Sequence, residues 1–136
     1  MKVVKGEMAT RTSFQRSAKG NVSIAECHPE GKYIVLENTH RSKDEILDDW
    51  KLKRNVDGKL DLEYQFPPRT TIKAGKTIRI WARNQGGINN PPDNIIFDAA
   101  DSWGSGSNVQ TSLLNKEGEE RATHVQRTSQ QSTATI

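Results

Sequence analysis

The sequence predicts an all-β chain, an antiparallel β-sandwich of about nine short strands. Three observations carry this. Apolar residues recur with period two, in short runs and not in helical stripes. Gly, Pro, Asn and Asp clusters separate the runs at the even spacing of a sandwich or barrel. No segment of the 136 residues shows a sustained 3.6-residue period.

Taken in order, Asn21–Cys27 alternates Val22 and Ile24 with polar neighbours. His28-Pro29-Glu30-Gly31 turns the chain, since Pro pre-sets φ and Gly is permissive. Gly31–Asn38 is rich in β-branched and aromatic residues, as strands are. Thr39–Asp48 is a charged connection. Asp49–Asn55 sets Trp50 and Leu52 on one face against Lys51 and Lys53 on the other. Asp57-Gly58 is a hairpin signal, and Lys59–Phe66 returns with Leu60, Leu62, Tyr64 and Phe66 on one face. Pro67-Pro68 ends that strand, because proline donates no ladder bond.

Thr70–Gly75 is a short run closed by Ala74-Gly75. Lys76–Arg83 alternates Ile78, Ile80 and Ala82 against Arg79, Trp81 and Arg83. The loop that follows, within WARNQGGINNPPDN (81–94), reads as a long connection at one end of the sandwich. It leaves Trp81 to cap the core or face a partner. Asn94–Asp98, the bend Asp101–Ser107, Asn108–Asn115 and Glu119–Gln126 complete the series. Trp50 and Trp103 are expected in the core.

Residues 1–17 and 127–136 are polar and without sustained periodicity, so they read as flexible tails around a domain at 18–126. No apolar stretch reaches the roughly 18 residues of a membrane span, and no signal-type run opens the chain. One cysteine, Cys27, excludes an intrachain disulfide and suits a reducing, intracellular compartment.

The three histidines lack metal-ligand spacing and read as solvated or loop residues. Asp93, Asp98 and Asp101 crowd one region, but not with EF-hand spacing. No nucleophile–base pair or phosphate loop is visible, so no cofactor, metal or catalytic residue is assigned. The net charge of +3 hides blocks: +4 over residues 1–20, −4 over 21–49, +6 over 50–83 and −4 over 84–126. Within the positive block, Lys51, Lys53, Arg69, Lys73, Lys76, Arg79 and Arg83 come from successive strands and loops. Shared outward parity allows several to form one face, a patch for DNA phosphates or an acidic partner. Trp81 is a candidate aromatic contact.

Together the blocks GNVSIAEC, EGKYIVLEN, DWKLKR, FPPRTTIKAGKTIRIWA, NPPDNIIFDAADSWGSGSNVQTSL and NKEGEERA resemble the tail domain of nuclear lamins, from about Ser13 to Arg127. The resemblance implies an immunoglobulin-like sandwich without enzymatic activity. It implies a place in the nuclear lamina at the inner nuclear membrane. It implies contact with chromatin, DNA and inner nuclear membrane proteins; the absence of a recognition helix and of an aromatic ladder makes the DNA contact weak and sequence-independent. The family's candidate contact face lies around the FPP strand end, here Tyr64–Arg69. Gln65 stands where some members carry a basic residue, which displaces the patch toward Arg69. The parent implied is a filament-forming coiled-coil dimer. This chain carries no heptad rod, no prenylation box and no basic import cluster in residues 1–20. It therefore reads as a tail fragment that does not itself insert into the membrane. The alternative is an immunoglobulin-like adhesive accessory domain of a secreted or surface enzyme, which flanking sequence would distinguish.

Overall fold

A computed structural model describes residues 8–132, with side chains described from 11 to 129. Eleven strands follow one another: β1 (Met8–Ala18), β2 (Val22–Cys27), β3 (Tyr33–Asn38), β4 (Glu45–Ile46), β5 (Lys51–Val56), β6 (Leu60–Gln65), β7 (Thr71–Ile72), β8 (Thr77–Ala82), β9 (Asn94–Phe97), β10 (Asn108–Leu114) and β11 (Glu120–Ser132). A five-stranded sheet of order β1-β11-β10-β5-β6 packs on a four-stranded sheet of order β2-β3-β8-β9, and β4 pairs with β7. This is the all-β, immunoglobulin-like sandwich expected.

Alternation builds the core between the two sheets. Leu52, Val56 and Leu113 come from the larger sheet, and Ile24, Ile34, Leu36, Ile78 and Ile80 from the smaller. Trp103 is fully buried and stacks on Phe97, with centroids 4.2 Å apart and planes 14° apart. Trp50 is buried too, so both tryptophans expected inside are inside. The β5–β6 hairpin turns at Asp57 and Gly58, which both take left-handed backbone (φ 54° and 69°).

Several readings change. β8 and β9 pair in parallel, with Ile80 opposite Ile95. A parallel neighbour cannot be reached by a tight hairpin, so residues 83–93 must carry the chain back past β8. That return explains the concentration of Gly, Asn and Pro in this loop. Asp101–Ser107 joins no sheet, and β4 lies inside the segment read as a charged connection.

Both segments read as flexible tails hold strand. Residues 8–17 and 127–132 belong to an eleven-residue antiparallel ladder running from Met8 opposite Ser132 to Ala18 opposite Ala122. The boundaries at 17/18 and 126/127 therefore fall within strands. The rest of the two segments lies outside the described residues. β10 begins at Asn108, opposite Arg127, so the outer end of this ladder is a two-stranded ribbon. With no layer to face there, its sequence carries no apolar alternation. His124 was read as a solvated or loop residue; it is a buried strand residue, turned inward from β11.

Candidate interaction surface

β8 divides its side chains between two environments. Ile78, Ile80 and Ala82 enter the core, while Arg79 and Trp81 stand on the outer face of the smaller sheet, partly exposed. Trp81 lies opposite Tyr33 in the β3–β8 register, and the two rings meet edge to face at 5.1 Å. The Arg79 guanidinium lies 4.3 Å from the Tyr33 ring centre and 5.5 Å from that of Trp81. A cation over aromatic faces is held by their quadrupoles and keeps its donors for a partner. His28 also packs edge to face on Tyr33, with ring centroids 4.9 Å apart. The Tyr33 hydroxyl donates to Glu26 Oε1 at 3.0 Å, and that bond raises the phenol above its ordinary pKa.

Trp81 is tied to its own chain. Its indole N–H donates to Asn94 Oδ1 at 3.0 Å. Gly87, from the crossover loop, lies so close over the indole that a Cβ there would collide with it. The loop thus roofs the tryptophan.

Lys73 and Lys76 flank the turn into β8. Gly75 supplies a φ of 70°, and its N–H donates to the Asn38 carbonyl at 3.0 Å. The Ala74 N–H donates to Asp44 Oδ1 at 2.9 Å, and the Lys76 N–H to the Lys73 carbonyl at 3.0 Å. An open groove lined by Lys73, Lys76, Pro92 and Asp93 runs on to Arg79 and Asn94. Three of the seven sequence-predicted cations therefore line a trough made of two adjoining grooves, which share Lys76, Thr77 and Asp93.

The other four lie elsewhere. Lys51 and Lys53 stand on the outer face of the opposite sheet, where Lys53 Nζ lies 3.6 Å from Glu63. Arg69 is exposed after Pro67-Pro68, with a φ of 65°. Arg83 follows β8, but its Nε donates to Asp101 at 2.8 Å and its Nη1 to the Asp98 carbonyl at 3.0 Å. That contact holds the Asp101 carboxyl below its ordinary range and the guanidinium above its own. Among the described residues no three His, Cys, Asp or Glu side chains converge as a metal set.

Sequence reasoning missed Arg54. It is 3% exposed and hydrogen-bonds to the Trp103 carbonyl (3.0 Å), the Gly104 carbonyl (2.9 Å) and Thr111 Oγ1 (2.9 Å). The signal was its parity, shared with Leu52 and Val56. Burial lowers its pKa and raises that of nearby Cys27, whose thiol lies 3.7 Å from Thr111 Oγ1. Burial also lowers His124, aided by Arg16 and then Arg54.

A sandwich whose Cys27 thiol and Arg54 guanidinium are locked inside, with charged grooves left on its outer face, is a structural β-module. The chain belongs to the lamin tail domain family, a structural and non-enzymatic family, whose model matches residues 15–128. It is similar to Intermediate filament protein A of Ascaris suum, 61% identical over 129 residues, which is 95% of this chain and 26% of that protein. It is 64% identical over 129 residues to Intermediate filament protein ifa-1 of Caenorhabditis elegans, again 95% of this chain and 22% of that protein. Muscle cell intermediate filament protein OV71 of Onchocerca volvulus is 61% identical over 129 residues, 95% of this chain and 30% of its own. The chain thus spans less than a third of the length of these relatives.

Proposed function

We propose that this chain is the interaction module in the tail of an intermediate-filament protein, and that it meets anionic partners through the trough of Lys73, Lys76 and Arg79. The observation that carries this is the placement of three cations along two adjoining grooves, with Arg79 steadied over Tyr33 and Trp81. Cations set in this way favour phosphate or carboxylate and read no base edge. In the finer reading the parent is a coiled-coil dimer of the nuclear lamina at the inner nuclear membrane. Its partners are then DNA in chromatin, bound weakly and without sequence preference, and inner nuclear membrane proteins. A second reading places the filament outside the nucleus with acidic protein partners. The muscle-cell name of the OV71 relative favours it.

Titration of labelled duplex DNA over a series of salt concentrations tests the trough. Binding is expected to be weak, indifferent to sequence and steeply salt-dependent, because each neutralised phosphate releases counterions. The double variant Lys73→Glu/Lys76→Glu should lose it while unfolding within about 0.5 kcal/mol of the parent chain. Unchanged affinity in that variant removes the trough as the contact. Imaging the tagged full-length protein separates the two locations, as a nuclear rim or as cytoplasmic fibres.

A further inference from the structure

Residues 11–13 and 127–129 spell the same triplet, Arg-Thr-Ser, and the fold lays one against the other. In the β1–β11 ladder Arg11 faces Ser129, Thr12 faces Thr128 and Ser13 faces Arg127. Direct partners in an antiparallel pair share a face, as do residues two apart on one strand. Arg11, Ser13, Arg127 and Ser129 therefore form the corners of one square. Ala122 and His124 of β11 point into the sandwich, so this square, on the opposite parity, lies on the outer face of the sheet. All four corners are exposed. On the other face the two threonine hydroxyls meet at 3.1 Å. Ser13 Oγ makes a long bond, 3.5 Å, to the Arg127 carbonyl.

We propose that Ser13 and Ser129 are twin phosphorylation sites for an arginine-directed protein kinase, and that each phosphate locks the ribbon through the arginine across the ladder. Each serine follows an arginine by two residues, a fixed cation that an acidic kinase subsite can read. β1 is an edge strand. Ser13 lies on the last three-stranded row, where Arg127 also faces Asn108, and the Thr128 N–H still donates to the Ser107 carbonyl at 2.7 Å; past that point the described ladder has two strands. Such a ribbon is marginally stable and opens locally, which gives the kinase an extended segment. The serine oxygen attacks the γ-phosphorus of a nucleoside triphosphate. The new P–O bond forms as the bond to the β-phosphate breaks. Nucleoside diphosphate leaves, and the hydroxyl proton passes to the kinase's base.

On reclosing, phosphoserine at 13 sits across from Arg127, with Cβ atoms about 5 Å apart. It adds close to two negative charges and three acceptor oxygens to a guanidinium fork shaped for them. Arg11, two residues back on the same face, flanks the same phosphate. The arrangement repeats for Ser129 opposite Arg11. Modification thus changes a polar, fraying ribbon into one closed by charge.

The test treats the chain with an arginine-directed kinase and Mg-ATP, maps phosphate by peptide mass, and follows amide hydrogen exchange in both strands. Phosphate is expected on both serines, with exchange around residues 11–14 and 126–129 slowed several-fold. Arg127→Gln keeps the arginine that precedes Ser13, so it should still be modified there but lose the slowing. Ser13→Ala/Ser129→Ala should take up no phosphate in either strand. Absence of phosphate at both serines overturns the proposal. So does modification that leaves exchange unchanged or speeds it, and so does slowing that survives in Arg127→Gln.

Discussion

Trp103 and Trp81 each place an indole N–H 3.0 Å from an oxygen, and there the likeness ends. The acceptor for Trp103 is the Ile80 carbonyl, so the ring ties the bend at 101–107 to β8 from within the core. Its own main-chain N–H reaches the Gly31 carbonyl at 2.8 Å, and its ring stacks on Phe97. Trp81 lies on the other side of the same sheet, one residue along from Ile80. Its partners are side chains, Asn94, Tyr33 and Arg79, and a roof made by Gly87. The inner tryptophan holds the layers together, whereas the outer one organises a surface.

The largest expected effect follows from the inner position. Trp103→Ala should cost about 3–5 kcal/mol, the range for a buried large aromatic. A denaturation midpoint that moved no further than that of Trp81→Ala would erase the distinction between the two sites. Next comes Arg54, the charged neighbour of Trp103. Arg54→Met keeps bulk but strips donors from the Trp103 and Gly104 carbonyls and from Thr111, at about 1–3 kcal/mol. A neutral or stabilising result in the same assay would mean that the hydrogen bonds no more than offset the burial of the charge.

The two environments also differ in how well they could be read. Inner positions such as Leu52, Ile78 and Ile80 announce themselves by alternation, and Asp57-Gly58 by turn chemistry. Blocks including DWKLKR and FPP…KAG…IWA carried the family resemblance, and the family match bears it out. Arg54 escaped because residue type was allowed to outweigh parity, although its neighbours Leu52 and Val56 marked that face. Parity separates in from out, but does not say which layer a strand joins. For that reason Lys51 and Lys53 are grouped with Arg79, which stands on the opposite sheet, and with Arg83, which lies just past its β8. The parallel β8–β9 pair was illegible for the same reason. The outer ribbon of β1 and β11 was illegible because both of its faces are polar and periodicity reports only burial.

A smaller effect tests the interior again, through pH. The fold holds His124 below its ordinary pKa, first by burial and then by Arg16 and Arg54, and its ring packs against Phe14 at 5.7 Å. The neutral ring is therefore the folded form. Below about pH 6.5 the unfolded chain takes up a proton that the folded chain resists. Stability should fall as pH drops through that point and level off once pH is under the folded value. Melting temperatures recorded from about pH 7.5 to about pH 5.5 should show this decline, and His124→Gln should flatten it. An identical decline in the variant would assign the acid sensitivity to other groups.

The smallest stability effect is expected on the outer face, and it decides what Trp81 is for. Trp81→Ala removes the edge-to-face pair with Tyr33 and part of the support for Arg79. Aromatic pairs of this kind contribute about 0.5–1.5 kcal/mol beyond their buried area, and Asn94 can turn to water once its donor is gone. The fold should therefore persist. Two roles then give opposite binding results. If Trp81 only steadies Arg79 beside Lys73 and Lys76, affinity for an anionic partner should weaken modestly and keep its salt slope, since the number of phosphates neutralised is unchanged. If Trp81 is itself the contact, the substitution should abolish binding while Lys73→Glu/Lys76→Glu leaves it intact. The ring is roofed by Gly87 and bonded to Asn94 within its own chain, which favours the first outcome. The second would move the contact from the trough to the crossover loop.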